Sequence, residues 1–340
     1  MKSFKRLVWL VFGLVTFLQA CHKDSSVEPA IMDSIEIPLG FPAIVFPSGN
    51  EFTIDRWNLG KSLFHEKALS LNNSVSCASC HKAELAFSDN VAFSLGDQNQ
   101  IGTSNAPSLC NMAYNPYYTR AGGVPTLEMQ VLVPIQEHVE FNSNIVDIAE
   151  KLKQIPAYNE AALKCYQRDL DPYVIVRAIA NYERSFISGN SNFDKYFYQG
   201  NKNALSQSEI RGMTLFMGDK TNCSKCHNGF NFSNYAFENN GLYEDYADIG
   251  RMRLTHLESD RARFKVPTLR NIAFTAPYMH DGSLKTLDEV VEHYNSGGHK
   301  HKNKSQLIKE LYLTNTEKED LVAFLKSLSD YSFINNKNFQ

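Results

Sequence analysis

Two five-residue motifs constrain this chain more tightly than anything else in it: Cys77-Ala78-Ser79-Cys80-His81 and Cys223-Ser224-Lys225-Cys226-His227. Both read C-x-x-C-H. On one helical turn, two thiols three residues apart reach the two vinyl groups of a single porphyrin, and the next residue, His, points at the iron from below. The pattern predicts two covalently attached c-type haems, held by Cys77, Cys80, Cys223 and Cys226, with His81 and His227 as iron ligands. A Cys-x-x-Cys pair also occurs as a redox dithiol or as half of a zinc site. Here the two pairs lie 146 residues apart and each is followed at once by His. Zinc needs no such His, whereas haem needs an axial ligand.

Similar sequence precedes both motifs. Gly60-Lys61-Ser62-Leu63-Phe64 stands before the first and Gly212-Met213-Thr214-Leu215-Phe216 before the second, a weak internal repeat. Apolar residues at three- and four-residue spacing predict helices over Ile145–Gln154, Ala157–Tyr166, Pro172–Ile187, Gln207–Met217, Thr286–Tyr294 and Thr316–Leu328. Asp147 and Ser206 suit early-turn or capping places. No alternating run is long enough for a substantial sheet. The expected fold is mainly α, with two cytochrome c-like haem domains. The polar, Asn-rich stretch from Gly189 to Asn203 marks the boundary, giving domains at 37–188 and 189–340, with the last helix able to pack on the first domain.

The N-terminus reads as an export signal over residues 1–20, with Lys2, Lys5 and Arg6 before an apolar run from Leu7 to Ala20. That run falls short of the ~20 residues a membrane span needs. Leu18-Gln19-Ala20-Cys21 resembles a lipobox, which implies lipid on Cys21, residues 21–36 as a tether, and a periplasmic protein anchored to the outer membrane by lipid alone. A formal charge of -3 gives no reason to expect nucleic acid as a partner. Cys110 and Cys165 remain, either as a bridge or as two free thiols.

Seven further blocks, GKSLFHEKALS, SCASCHKAELAFSD, NAPSLCNMAYN, LEMQVLVPI, CSKCHNGFNFS, FKVPTLRNIAFTAPYMHDGS and TLDEVVEHYNSGG, give the chain a specific resemblance. From about Ile54 to Leu328 it resembles the bacterial dihaem cytochrome c peroxidases, together with the dihaem enzyme that matures methylamine dehydrogenase. The resemblance implies that His81 serves a peroxide-reacting haem and His227 an electron-receiving one. Glu140 falls at the distal acid–base carboxylate and Gln130 at the distal glutamine. Asn105, Thr275 and Pro277 fall at positions that bind one calcium ion. The chemistry suits these roles: splitting a peroxide O–O bond needs a group that takes a proton from one oxygen and returns it to the other.

The chain departs from the family at three places. No His occurs between Lys82 and Glu137, so the first iron is expected to lack a loop ligand and to meet peroxide without reductive activation; His138 is the nearest rival. Arg120, in Thr119-Arg120-Ala121-Gly122-Gly123, takes the place of a Trp between the haems, with Tyr114, Tyr117 and Tyr118 nearby. Tyr294 stands where peroxidases carry a distal Met on the second haem, as in the maturation enzyme; Met279 is the rival ligand. The resulting expectation is a peroxidase that reduces hydrogen peroxide to water with electrons from a small c-type cytochrome or cupredoxin. A homodimer is the assembly the resemblance implies. Two alternatives stay open: a maturation-type oxidase of a protein side chain or small reductant, and a non-catalytic dihaem electron carrier.

Overall fold

Two crossed helix pairs organise residues 35–340, the part of the chain described by this computed structural model. Ile54–Phe64 packs on Pro172–Glu183, and Gln207–Met217 packs on Asn315–Ser327. A glycine sits at each crossing. A Cβ on Gly60 would lie 2.0 Å from Ala178 O, and one on Gly212 would lie 1.9 Å from Asp320 O. No side chain tolerates such contact, so glycine is what lets each pair of backbones meet. The weak sequence repeat therefore marks two equivalent crossings.

Local chemistry explains most helix limits. Thr53, Asp171, Ser206 and Thr314 each accept a first-turn N–H, and Glu209 and Glu317 complete capping boxes at the last two. The final long helix thus begins at Asn315, one residue before the sequence expectation. Ile145–Lys153, Pro156–Tyr166 and Leu287–Asn295 follow expectation closely. The predicted Pro172–Ile187 helix stops at Glu183, because tertiary bonds claim the backbone beyond it: Asn111 N donates to Phe186 O at 2.8 Å and Ser188 N donates to Asn111 Oδ1 at 2.9 Å. Four helices went unpredicted: the short Met252–Thr255 and Tyr331–Ile334, Leu127–Gln136, which contains Pro134, and Asn192–Phe197, which lies inside the stretch expected to mark the domain boundary.

The described residues carry thirteen α-helices and one two-stranded antiparallel ladder, Phe237–Glu238 with Phe264–Lys265. The expectation of a mainly α fold holds. Two buried apolar clusters lie within one compact unit. Trp57, Leu63, Phe64, Phe87 and Phe186 centre the first, and Phe193, Phe216, Phe232 and Phe324 the second. The chain's end returns to the first cluster through Phe333, Ile334 and Phe339, with Lys61 Nζ donating to Asn338 O at 2.7 Å. Cys110 and Cys165 are free thiols. The export signal, Cys21 and residues 21–34 of the tether lie outside the described residues.

Candidate active site

Each C-x-x-C segment forms one short helix, Cys77–Cys80 and Cys223–Cys226, whose next residue is the His. His81 Nδ1 bonds Phe87 O at 2.7 Å, and His227 Nδ1 bonds Phe232 O at 3.0 Å. A carbonyl can only accept, so Nδ1 carries the proton and Nε2 keeps a lone pair for a metal. Phe87 and Phe232 both adopt left-handed φ, 60° and 50°, which aims their carbonyls at the rings. The serines that follow fix the turns: Ser88 Oγ donates to Ala106 O at 2.9 Å and Ser233 Oγ to Val266 O at 2.6 Å. Burial lowers both imidazole pKa values, which keeps the rings neutral and able to ligate.

Both motifs open on one cavity of about 550 Å³, lined by Cys77, Cys80, His81, Cys223, Cys226 and His227. Free thiols, neutral imidazoles and a largely apolar wall are the donor set and environment that two c-type haems require. The residues present fit the group.

On the side of the first motif, Gln130 and Glu140 line the same cavity. Gln130 Oε1 is buried without a hydrogen-bond partner, an orphan acceptor aimed at no protein group. Its helix is held by a bidentate ion pair, Arg184 Nη1 and Nη2 to Glu128 Oε1 and Oε2 at 2.8 and 2.9 Å, a pair that sequence reasoning missed. Glu140 is accessible along the cavity; desolvation by the protein around it, with the nearby Glu137 carboxylate, raises its pKa. The loop around Gly96 grips its backbone: Asp97 N donates to Glu140 O at 2.6 Å, and a Cβ on Gly96 would lie 2.1 Å from Val139 O. Asp97 is itself buried and accepts from Asn72 Nδ2 at 2.6 Å and from Ser74 Oγ at 2.5 Å. This loop supplies no imidazole. Exposed His138 bonds Asn142 and is absent from the lining, where His81, His227 and His280 are the only imidazoles among the described residues.

On the side of the second motif, Tyr294 and Met279 both line the cavity. Burial pushes the Tyr294 phenol up to about 12, so the polypeptide alone keeps it protonated. Met279 Sδ accepts from Asn240 Nδ2 at 3.2 Å. Its φ of 73° is matched by Thr119 at 61°, the equivalent position in the first half, so the strain belongs to the repeated turn and not to ligation.

Comparison with known proteins gives the family. The family model described as di-haem cytochrome c peroxidase matches residues 55–203. Cytochrome c551 peroxidase of Nitrosomonas europaea is 37% identical over 283 residues, covering 81% of this chain and 80% of the relative. Methylamine utilization protein MauG of Methylorubrum extorquens is 32% identical over 290 residues, covering 84% and 81%. The chain belongs to the di-haem cytochrome c peroxidase and MauG family. A crystal structure of a MauG-like protein associated with microbial copper homeostasis superposes with a TM-score of 0.86 at 32% identity, over 90% of this chain and 98% of that one.

The residues that family membership suggests for calcium are less accommodating. Asn105 is buried, and its Nδ2 donates to Pro277 O at 2.9 Å. Arg120 donates to Asn105 O at 2.7 Å and also to Asn105 Oδ1. Thr275 Oγ1 donates to Ile272 O at 3.2 Å. The Asn105 and Pro277 oxygens that a calcium ion would use already accept from N–H groups of the protein, and the Thr275 hydroxyl is turned to Ile272 O, so the set does not fit the ion. The nearby tyrosines are tied to backbone: Tyr114 to Pro42 O, Tyr117 to Tyr235 O, and Tyr118 to Met112 O. Tyr117 also stacks on Phe237 with centroids 5.2 Å apart. No helix among the described residues is long and apolar enough to cross a membrane.

Proposed function

We propose that this chain is an exported di-haem c-type peroxidase, lipid-anchored through Cys21 in the periplasm. It reduces hydrogen peroxide to water with electrons from a small c-type cytochrome or cupredoxin. The balance is one peroxide, two electrons and two protons to two waters. One observation carries the reading: an orphan amide oxygen and a carboxylate of raised pKa line the same cavity as a His whose Nε2 is kept free. Haem bound at Cys77, Cys80 and His81 supplies a coordination place for peroxide and electrons for the O–O bond. Gln130 Oε1 accepts a hydrogen bond from the peroxide and orients it. Ionised Glu140 takes the proton from the near oxygen and hands it to the far one, which leaves as water. Cys223, Cys226 and His227 would hold the second haem, which would supply the entry for electrons from the donor; Tyr294, or Met279 as its rival, would complete its ligand set.

Holoprotein made in a host competent in cytochrome maturation should oxidise two reduced cytochrome molecules per peroxide. Failure of both irons to bind cyanide or react with peroxide would leave only an electron carrier.

Tyr294 favours a second reading. A phenolate stabilises oxidised iron, as suits a maturation-type enzyme that oxidises a protein side chain or small organic reductant. The similarity to MauG and to the MauG-like copper-homeostasis protein is in keeping with it. A persistent spectral change on adding peroxide, with cytochrome left reduced, would select this reading over the first.

A further inference from the structure

The polar link between the two halves contains a cation of the protein's own. Arg120, from the turn at residues 119–123, donates through Nη2 to both oxygens of Asn105, and Asn105 Nδ2 donates onward to Pro277 O at 2.9 Å. One unbroken relay of N–H donors thus runs from a guanidinium in the first half to a carbonyl in the second. Calcium takes six to eight oxygens at about 2.3–2.6 Å and favours carboxylates among them. None of Asn105, Thr275 and Pro277 is a carboxylate, and the described residues hold no cluster of three acidic, His or Cys side chains that would bind a metal.

The surrounding charges point the same way. Lys265 also lines this part of the cavity; its N–H donates to Arg120 O at 2.7 Å and its Nζ to Tyr117 O at 2.9 Å. Burial first, and then the Arg120 guanidinium, push the Lys265 ammonium down to about 8, and its backbone contact with Arg120 sets a second cation beside the first. The acids that act on Arg120 are Asp248 and Asp281. Asp281 is taken by Tyr243 Oη at 2.6 Å and Ser283 N at 3.1 Å, and Asp248 by Gly250 N at 2.8 Å and by Arg253. A divalent ion on Asn105 would meet a fixed guanidinium at hydrogen-bonding range, with Asp248 and Asp281 engaged by other donors and unavailable as ligands.

We propose that the Arg120 guanidinium permanently fills the cation position between the two halves, so that this protein binds no calcium there. The inference is independent of the peroxidase reading, since it concerns ion binding and assembly and not turnover.

The test uses holoprotein dialysed against a calcium chelator, then measured for bound calcium and for melting with and without millimolar calcium. Wild type should carry no stoichiometric calcium, and its melting should be indifferent to the ion. Arg120→Ser, with both haems verified by spectrum, should melt lower by roughly 5 °C and regain part of that loss with calcium, because the Asn105 oxygens are released. One tightly bound calcium per wild-type chain would overturn the proposal without any variant. An Arg120→Ser protein that melts like wild type, or that ignores calcium, would equally overturn it, since the guanidinium would then fill no cation site.

Discussion

The two halves share a framework and differ at the positions that would face the reacting iron. Asn111 and Asn271 lie 160 residues apart, and both adopt left-handed φ, 59° and 61°. Each donates its N–H to the chain just past a long helix, to Phe186 O and Leu328 O, and each Oδ1 accepts a later N–H, from Ser188 and Asp330. The next turns pair alike: Tyr118 N donates to Val124 O at 2.8 Å and Tyr278 N to Leu284 O at 2.6 Å. Thr126 and Thr286 then cap the helices that follow. With the same spacing, Gln130 answers to Val290, Pro134 to Tyr294, and Arg120 to His280. One scaffold therefore presents an amide in one half where the other has an apolar side chain, and a phenol where the first has proline. Chemistry is set by a few side chains on a common frame.

The sharpest break of this symmetry is Glu140→Gln, expected to slow peroxide reduction by about 10²–10⁴-fold with both haems retained. The same variant tests pH dependence. The Glu140 pKa is raised by burial and by Glu137, so the ionised base is lost as pH falls through a value above the ordinary carboxylate range. Wild-type turnover should drop there, and the variant's residual rate should stay flat. Stability moves the opposite way: a raised carboxyl pKa gives stability that is present below the unfolded value and lost as pH rises through the folded one. A wild-type rate that is flat across that range would remove Glu140 as the base.

Buried ion pairs come next, one on each side. Arg270 donates through Nη1 and Nη2 to Asp194, both at 2.9 Å, and both side chains are fully buried. Arg270→Leu would strand the Asp194 charge and should cost about 3–5 kcal/mol, read by denaturant unfolding of the holoprotein. Arg184→Leu should cost a similar amount, and in addition weaken peroxide turnover by loosening the helix that carries Gln130. Equal turnover in the two variants would show that the Arg184–Glu128 pair positions nothing.

At the helix crossings the halves should behave alike. Gly60→Ala and Gly212→Ala each force a methyl group into a carbonyl and should destabilise by about 1–3 kcal/mol. Tyr294→Phe has the smallest effect on folding and the most selective readout. Loss of the proposed phenolate ligand should raise the potential of the second haem by roughly 100 mV or more, within the ~0.8 V that axial ligation commands, and leave the first unchanged. An unaltered potential would transfer the ligand role to Met279.

Much of this was legible in the chain. The C-x-x-C-H motifs carry their own local geometry, since both thiols and the His lie within one turn. The capped, periodic helices at residues 145–153, 207–217 and 287–295 were readable for the same reason: their signals are local. The helix bearing Gln130 escaped because the exposed apolar Met129 and Val133 blur the buried Leu127, Val131 and Ile135 face, and Pro134 interrupts the pattern. Asn192–Phe197 escaped because it is six residues long within a polar, Asn-rich stretch, and its Asp194 is paired with Arg270, a partner 76 residues away. The Arg120 contact was out of reach on similar grounds. Nothing in a sequence says that an arginine 15 residues beyond Asn105 folds back to occupy its oxygens.

By itself, then, the sequence determined the two C-x-x-C-H turns, the imidazole that ends each and the mainly helical content, because each depends on atoms within a few residues. The meeting of the halves on one cavity, the orphaned Gln130 amide, the grip on Glu140 and the Arg120 bridge were decided by the tertiary structure alone. These depend on which distant groups share a desolvated space, and burial is a property of the folded whole.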